Sequence, residues 1–177
     1  MSKIRSTPSA RPPLYTPDQR LRRDRTIWTP VQGILAPLQF FAFAVSLGLV
    51  LRYLVTGSGY EAATVSILVK TGFLYVIMVT GAIWEKVVFG QYLLAPAFFW
   101  EDVFSFAVIG LHTAYLVALF SNALTPNALM ALALAAYATY VINAAQFIWK
   151  LRLARLDMAA RDAATASGQP AGQVVQA

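Results

Sequence analysis

Apolar residues run almost unbroken through four stretches of the chain, roughly 27–54, 65–88, 97–120 and 127–149. Each holds close to the ~20 residues that carry a helix across a ~30 Å hydrocarbon core. Inside them the polar and small residues recur at heptad-like spacing. The first stretch has Gln32, Gln39 and Ser46; the second has Thr71, Leu74, Met78, Gly81 and Glu85. The third has Glu101, Ser105, Val108, His112 and Tyr115; the fourth has Thr139, Asn143, Gln146 and Lys150. Such lines cannot comfortably face lipid, so the pattern predicts an all-α polytopic membrane protein, with four transmembrane helices in a bundle whose interior is partly polar. Pro30, Gly33 and Pro37 are expected to bend the start of the first helix, and Thr125-Pro126 opens the fourth with a cap-plus-proline signal.

Outside the spans the pattern changes. Residues 1–14 are rich in Ser, Pro and Arg and read as disordered, and Thr16-Pro17-Asp18-Gln19 then forms a capping box that starts a short basic helix on the membrane surface. The expected units are a basic tail with an interfacial helix (1–26), a four-helix transmembrane domain (27–151) and a polar, disordered C-terminal tail (152–177). No cleaved signal peptide is expected, because the first apolar run is too long, starts too late and lacks an A-x-A-like exit. Seven basic residues precede the first span and four end or follow the last (Lys150, Arg152, Arg155, Arg161), while the loops near 56–62 and 121–126 have none. The positive-inside rule therefore predicts cytoplasmic N- and C-termini. Trp28, Trp84, Trp100 and Trp149 all fall at span ends on that side, as an aromatic belt would. Lys70 lies towards the opposite end of the second span, and snorkelling to the far surface is the expectation for it.

Composition sharpens this picture by exclusion. Of 177 residues, 58% are hydrophobic and only 12% charged, more apolar surface than a soluble domain of this size could bury. The absence of cysteine rules out disulfides, thiolate metal sites and thiol catalysis, and a single histidine argues against a multi-histidine metal site. The net charge of +6 sits mostly in the tails, which suits membrane lipid as a partner and not nucleic acid.

Candidate chemistry concentrates between Gly81 and His112, where Glu85, Lys86, Glu101, Asp102 and the lone histidine stand in apolar and aromatic sequence. Ionisable residues within a membrane span mark functional sites by default, although these four charges could also simply mark helix ends at the interface. A carboxyl group in an aromatic, poorly hydrated setting favours its protonated form, and close carboxylates hold protons in common. Glu101, Asp102 and Glu85 are thus the candidate general acid and its partners. The uncharged loop VVFGQYLLAPAFFW is unlike a water-exposed one: it either dips into the interface as a pocket wall or packs back on the protein. Trp100, Phe99, Trp84 and Tyr92 are the candidate aromatic contacts for a flat substrate. His112 shares a helix face with Glu101 about 16 Å along the axis. It could shuttle protons, ligate a chlorin magnesium and so help bind a pigment, or be a hydrogen-bonded interior histidine; the sequence favours the last.

The strings LYTPDQRLRRDRTIW, VQGILAPLQF, MVTGAIWEKVVFG, LLAPAFFWEDVFS, LHTAYL and YVINAAQF resemble the vinyl bacteriochlorophyllide hydratases of bacteriochlorophyll biosynthesis. The likeness runs from about Pro13 to Leu156, and IWEKVVFG and APAFFWEDVFS are its most specific parts. It implies a hydro-lyase that adds water to the 3-vinyl group of a chlorophyllide-type pigment to give 3-(1-hydroxyethyl), with no redox cofactor and no protein-bound metal. It also implies a phototrophic bacterium, an inner or intracytoplasmic photosynthetic membrane, and other enzymes of that pathway as candidate partners. It carries over no catalytic residue. Two other classes stay open on the residues alone. One is a non-catalytic pigment-binding or assembly protein with His112 as magnesium ligand; the other is a structural or transport subunit whose carboxylates relay protons or ions.

Overall fold

The computed structural model describes residues 14–166. The expectations of disorder for the extreme N-terminus and for 167–177 lie outside them. Thr16 opens α1 (Pro17–Arg25): its backbone N–H donates to Gln19 Oε1 at 2.9 Å and its hydroxyl accepts from Gln19 N–H at 3.3 Å, the reciprocal box read from the sequence. α1 packs on α3, and Thr29 Oγ1 donates to Arg23 O at 2.6 Å, tying the end of α1 to the first span.

Four helices are long and apolar enough to cross a membrane: α2 (Trp28–Thr56), α3 (Tyr60–Phe89), α4 (Phe99–Phe120) and, within α5 (Pro126–Ala166), the stretch Pro126–Leu156. α2 continues through Pro37 as one helix. Gly57 ends α2 and Gly90 ends α3, both in the left-handed conformation (φ 70° and 89°) that only glycine adopts without cost. The boundary expected at 151 is corrected, because α5 continues to Ala166. Residues 152–166 are rich in Ala, Leu and Arg and hold no Gly or Pro, so nothing local stops the helix.

The cross-helix bonds show antiparallel neighbours. Gln32 Nε2 donates to Thr80 Oγ1 at 2.7 Å and Ser46 Oγ meets Ser66 Oγ at 2.8 Å, joining α2 to α3. Ser46 also meets Tyr137 Oη at 2.5 Å, and Tyr53 Oη donates to Asn127 Oδ1 at 3.1 Å, joining α2 to α5. The predicted line of α4 is buried throughout, at Glu101, Ser105, Val108, His112 and Tyr115, and Gln39, Ser46, Thr71, Leu74, Glu85 and Asn143 are buried on the other helices. Phe43, Val50, Ile67, Met130 and Tyr137 fill the space between. Many outward side chains are apolar and exposed, among them Phe41, Val55, Val79 and Phe120, which is where lipid tails would lie.

Lys70 requires a correction. It does not snorkel: its side chain is fully buried, with Nζ 2.5 Å from His112 Nε2 and over the ring of Tyr140 at 4.3 Å. Its position on the inward line of α3 beside Thr71 and Leu74 keeps it in the bundle, and a histidine and an aromatic face replace the water it would otherwise reach.

Interhelical bonds of this kind average ~0.6 kcal/mol, with ~1.7 at most, because the unfolded chain in a membrane also finds partners. Ser46→Ala, which removes the junction of α2, α3 and α5, is therefore expected to cost about 1–2 kcal/mol, as read from SDS or urea unfolding in detergent. A loss of less than a few tenths would show that the junction does not hold the bundle together.

Candidate active site

Glu85 enters from the last turn of α3, and Glu101 and Asp102 from the first turn of α4. The loop between those helices, residues 90–98, brings the three carboxyl groups together, and all are buried. The backbone N–H of Leu94 donates to Asp102 Oδ2 at 2.7 Å, and that of Ala95 to Glu85 Oε2 at 3.3 Å. Leu94 holds a left-handed conformation (φ 59°) rare for a side chain of its size. Such strain costs on the order of 1–3 kcal/mol and persists where the surroundings fix it; here it aims an N–H at a carboxylate.

The three acids do not share one environment. Glu85 and Asp102 are bound by the N–H groups of two adjacent loop residues, Ala95 and Leu94, so the loop holds these two buried carboxyl groups at one place. Buried acids held this close favour one proton in common over two charges. Glu101 instead pairs with Lys150 Nζ at 2.5 Å, and the lysine lies over the ring of Phe98 at 5.1 Å. Sequence reasoning placed Lys150 on the polar line of the fourth helix but did not make it a site residue. The available signal was that this line and that of Glu101 and Ser105 must face one another, as they do: Asn143 Nδ2 donates to Ser105 Oγ at 2.8 Å, and Ser105 Oγ to Glu101 O at 2.9 Å.

Aromatic rings close the space around the carboxylates. Phe98, nearly fully buried, stands 5.8 Å from each of Trp84, Phe89 and Phe147, and Tyr15 stacks on Phe89 at 5.8 Å. Trp84 Nε1 donates to Thr29 Oγ1 at 3.0 Å. Of the predicted aromatic contacts, Trp84 therefore lies at the site. Tyr92, Phe99 and Trp100 point outward, 61%, 42% and 66% exposed, with Trp100 edge-on to Phe99. Ala95 and Phe98 of the loop pack inward, as a turn packed back on the protein requires, while Tyr92, Leu94 and Phe99 remain exposed.

A shallow, mostly apolar groove of about 610 Å³ runs along α5 beside the start of α4 and reaches Glu101 and Lys150 from outside, lined otherwise by Ile142, Ala145, Gln146, Trp149 and Leu153. A flat apolar molecule approaching through the bilayer would meet it before meeting the carboxylates.

His112 is not part of this cluster. Its Nδ1 lies 2.7 Å from Val108 O, and a carbonyl can only accept, so Nδ1 carries the hydrogen and Nε2 is left to accept from Lys70. Both ring nitrogens are engaged, so magnesium ligation would require parting Nε2 from Lys70. His112→Phe strands Lys70 without its acceptor, and is expected to cost on the order of 3 kcal/mol of bundle stability. Adding Lys70→Met should recover part of that loss, since both polar partners are then gone. Pigment binding lost with stability intact would instead make His112 a ligand.

Residues 15–153 match the sequence family described as 2-vinyl bacteriochlorophyllide hydratase. The chain is similar to the 2-vinyl bacteriochlorophyllide hydratase of Cereibacter sphaeroides, with 76% identity over 148 residues, covering 83% of this chain and 91% of that protein. It is similar to the protein of the same name from Rhodobacter capsulatus, with 71% identity over 156 residues, covering 88% and 91%. No solved structure matches the chain.

Proposed function

The chain belongs to the 2-vinyl bacteriochlorophyllide hydratase family, and we propose that it performs that hydration with Glu85 and Asp102 as the proton-handling pair. The reaction is addition of water to the vinyl group of a bacteriochlorophyllide in bacteriochlorophyll synthesis. The observation that carries the catalytic assignment is that two buried carboxyl groups, from α3 and α4, each have one oxygen fixed by a backbone N–H of adjacent residues in the 90–98 loop.

Water is too weak a nucleophile for a vinyl group until a proton reaches the alkene. The Glu85–Asp102 pair gives its proton to the terminal carbon, and the electron pair of the double bond forms the new C–H bond. Positive charge then lies on the inner carbon, where the macrocycle spreads it by conjugation and the carboxylates stabilise it. Water attacks that carbon, and its surplus proton returns to the pair, so the catalyst is restored and the product is the 1-hydroxyethyl group. Glu101, held by Lys150, is a fixed anion beside the cation, and Phe98 and Trp84 keep bulk water out. The pigment docks in the groove between α4 and α5, with Trp149 against its plane. Catalysis is favoured over passive pigment carriage with His112 as magnesium ligand, because that histidine already uses both nitrogens.

Glu85→Gln and Asp102→Asn are each expected to lower turnover by on the order of 10²–10⁴ with expression retained, the usual effect of removing a general acid. Near-normal turnover in both would overturn the assignment. Hydration in deuterated water should place one deuterium in the new methyl group, with the hydroxyl oxygen coming from labelled water. A methyl group without deuterium would exclude protonation by an exchangeable acid.

The orientation follows the basic tails: both termini are cytoplasmic, and the carboxylate end of the bundle faces the cytoplasm in the inner membrane. A periplasm-active reporter inserted at Ser58 should be active, and one fused after Arg161 silent. The reverse would move the site to the other side.

A further inference from the structure

Gln39 lies two turns of α2 from Ser46, towards the carboxylate end of the bundle. It is only 2% exposed, yet neither its amide nitrogen nor its amide oxygen bonds any described residue. The facing helix supplies a second such group. Ser46 meets Tyr137, and Phe43 lies against Tyr140 with centroids 5.0 Å apart, so α2 and α5 keep antiparallel register through this region. About one further turn along each helix, at ~1.5 Å per residue, brings Gln39 and Asn143 to one level. Asn143 is also buried; its Nδ2 is used by Ser105, and its Oδ1 bonds nothing among the described residues. Ser105 stands one turn, ~5.4 Å, from Glu101 along α4.

An amide left unpaired in a membrane interior costs free energy, and the register places three unpaired atoms at about one level of the facing helices: a donor, Gln39 Nε2, and two acceptors, Gln39 Oε1 and Asn143 Oδ1. A buried water typically makes about three hydrogen bonds to such groups. It would donate to the two oxygens, accept from the nitrogen, and keep one lone pair free. We propose that Gln39 and Asn143 form the binding site of the substrate water, which reaches the carboxylates from inside the bundle while the pigment approaches from the groove on its outer side.

This rests on the protonation-first hydration proposed above, in which the oxygen must arrive after the proton. The water loses one hydrogen to the carboxylate pair and keeps the other on the new hydroxyl. Separate routes solve a problem specific to this reaction: a pocket dry enough to sustain a carbocation must still receive one water at a fixed place. The apolar groove admits the pigment, and the amides admit the water.

The test uses the full-length protein in detergent, a vinyl bacteriochlorophyllide and deuterated water. Protonation that is not followed by water attack reverses and leaves deuterium on the terminal carbon of the recovered vinyl pigment. Gln39→Leu keeps the side-chain size but removes the amide. It should lower hydration about tenfold or more while leaving vinyl exchange within a few-fold, so the exchange-to-hydration ratio rises by about tenfold. Asn143→Leu should do the same. A merely structural role would depress both processes together, and an unchanged ratio in both variants overturns the proposal. Radiolytic labelling of the wild-type protein tests the site without relying on variants, because hydroxyl radicals formed from a bound water oxidise neighbouring buried rings. Modification of Phe43 or Tyr140, both buried beside this level, is expected, and silence at both overturns the site even if the variants fail to fold. Wild-type product with no deuterium in its methyl group would refute the protonation-first reading, and the labelling would still decide whether the water site exists.

Discussion

A polar group in a hydrocarbon medium must find its partner inside the protein, and the organisation of this bundle follows from that constraint. Polar residues of the inward faces meet across the helix interfaces at five places: Gln32 with Thr80, Ser46 with Ser66 and Tyr137, Lys70 with His112, Asn143 with Ser105, Glu101 with Lys150. The pairings fix rotation as well as register. Turning α4 by one residue would carry Glu101, Ser105 and His112 off the buried face at once, and each would lose its partner. A bundle that relied on leucine alone would have little reason to prefer one rotation, since lipid tails are as apolar as its own side chains. The carboxylate site is thus built at the end of a structure whose register is already set by uncharged bonds deeper in the membrane.

Much of this was legible in the sequence, for reasons that can be located. The spans show because hydrophobic length is set by the bilayer, and the buried faces show because polar residues in a span have few places to go. The capping box at Thr16 is a local motif with local consequences, and it forms as read. What escaped was pairing. Lys70 looked like a snorkelling lysine because its partner, His112, lies in another span, and the choice between membrane surface and buried acceptor depends on rotation that spacing alone leaves open. Lys150 was likewise visible on the correct face, but its ion pair with Glu101 required knowing that α4 and α5 run side by side. The end of α5 was missed for a different reason. Polar composition suggested a tail, whereas Ala, Leu and Arg are strong helix formers and continue the helix beyond the apolar stretch.

The carboxylates show why proximity in sequence is a poor guide to chemical role. Glu101 and Asp102 are adjacent, yet successive helix positions point ~100° apart. One turns towards Lys150 and the outer groove, the other towards Glu85 and the loop backbone. The same acid type is therefore split into one paired with a lysine and one held by the loop backbone, by nothing more than helical geometry and its neighbours. The loop makes the split possible. Its unusual backbone at Leu94 aims neighbouring N–H groups at one oxygen each of Asp102 and Glu85, and so holds the two acids to the same stretch of loop.

The uneven wetting of the bundle then bears directly on selectivity. A carbocation in bulk water would be captured from any side, or lose its proton before the enzyme gained anything from having formed it. On the mechanism proposed above, the Phe98, Trp84 and Phe147 cluster would limit bulk water, so the cation would meet fixed anions and a single direction from which oxygen can come. That direction would determine the configuration of the new hydroxyl-bearing carbon. The vinyl group is planar where it is attacked, so its two faces differ only in what the protein places opposite them. A pigment docked in the groove along α5, as proposed, would show one face to the bundle interior and the other to lipid. Water supplied from the interior would reach only the first, so a vinyl group held in one rotamer would give a single stereoisomer without any residue having to recognise the product.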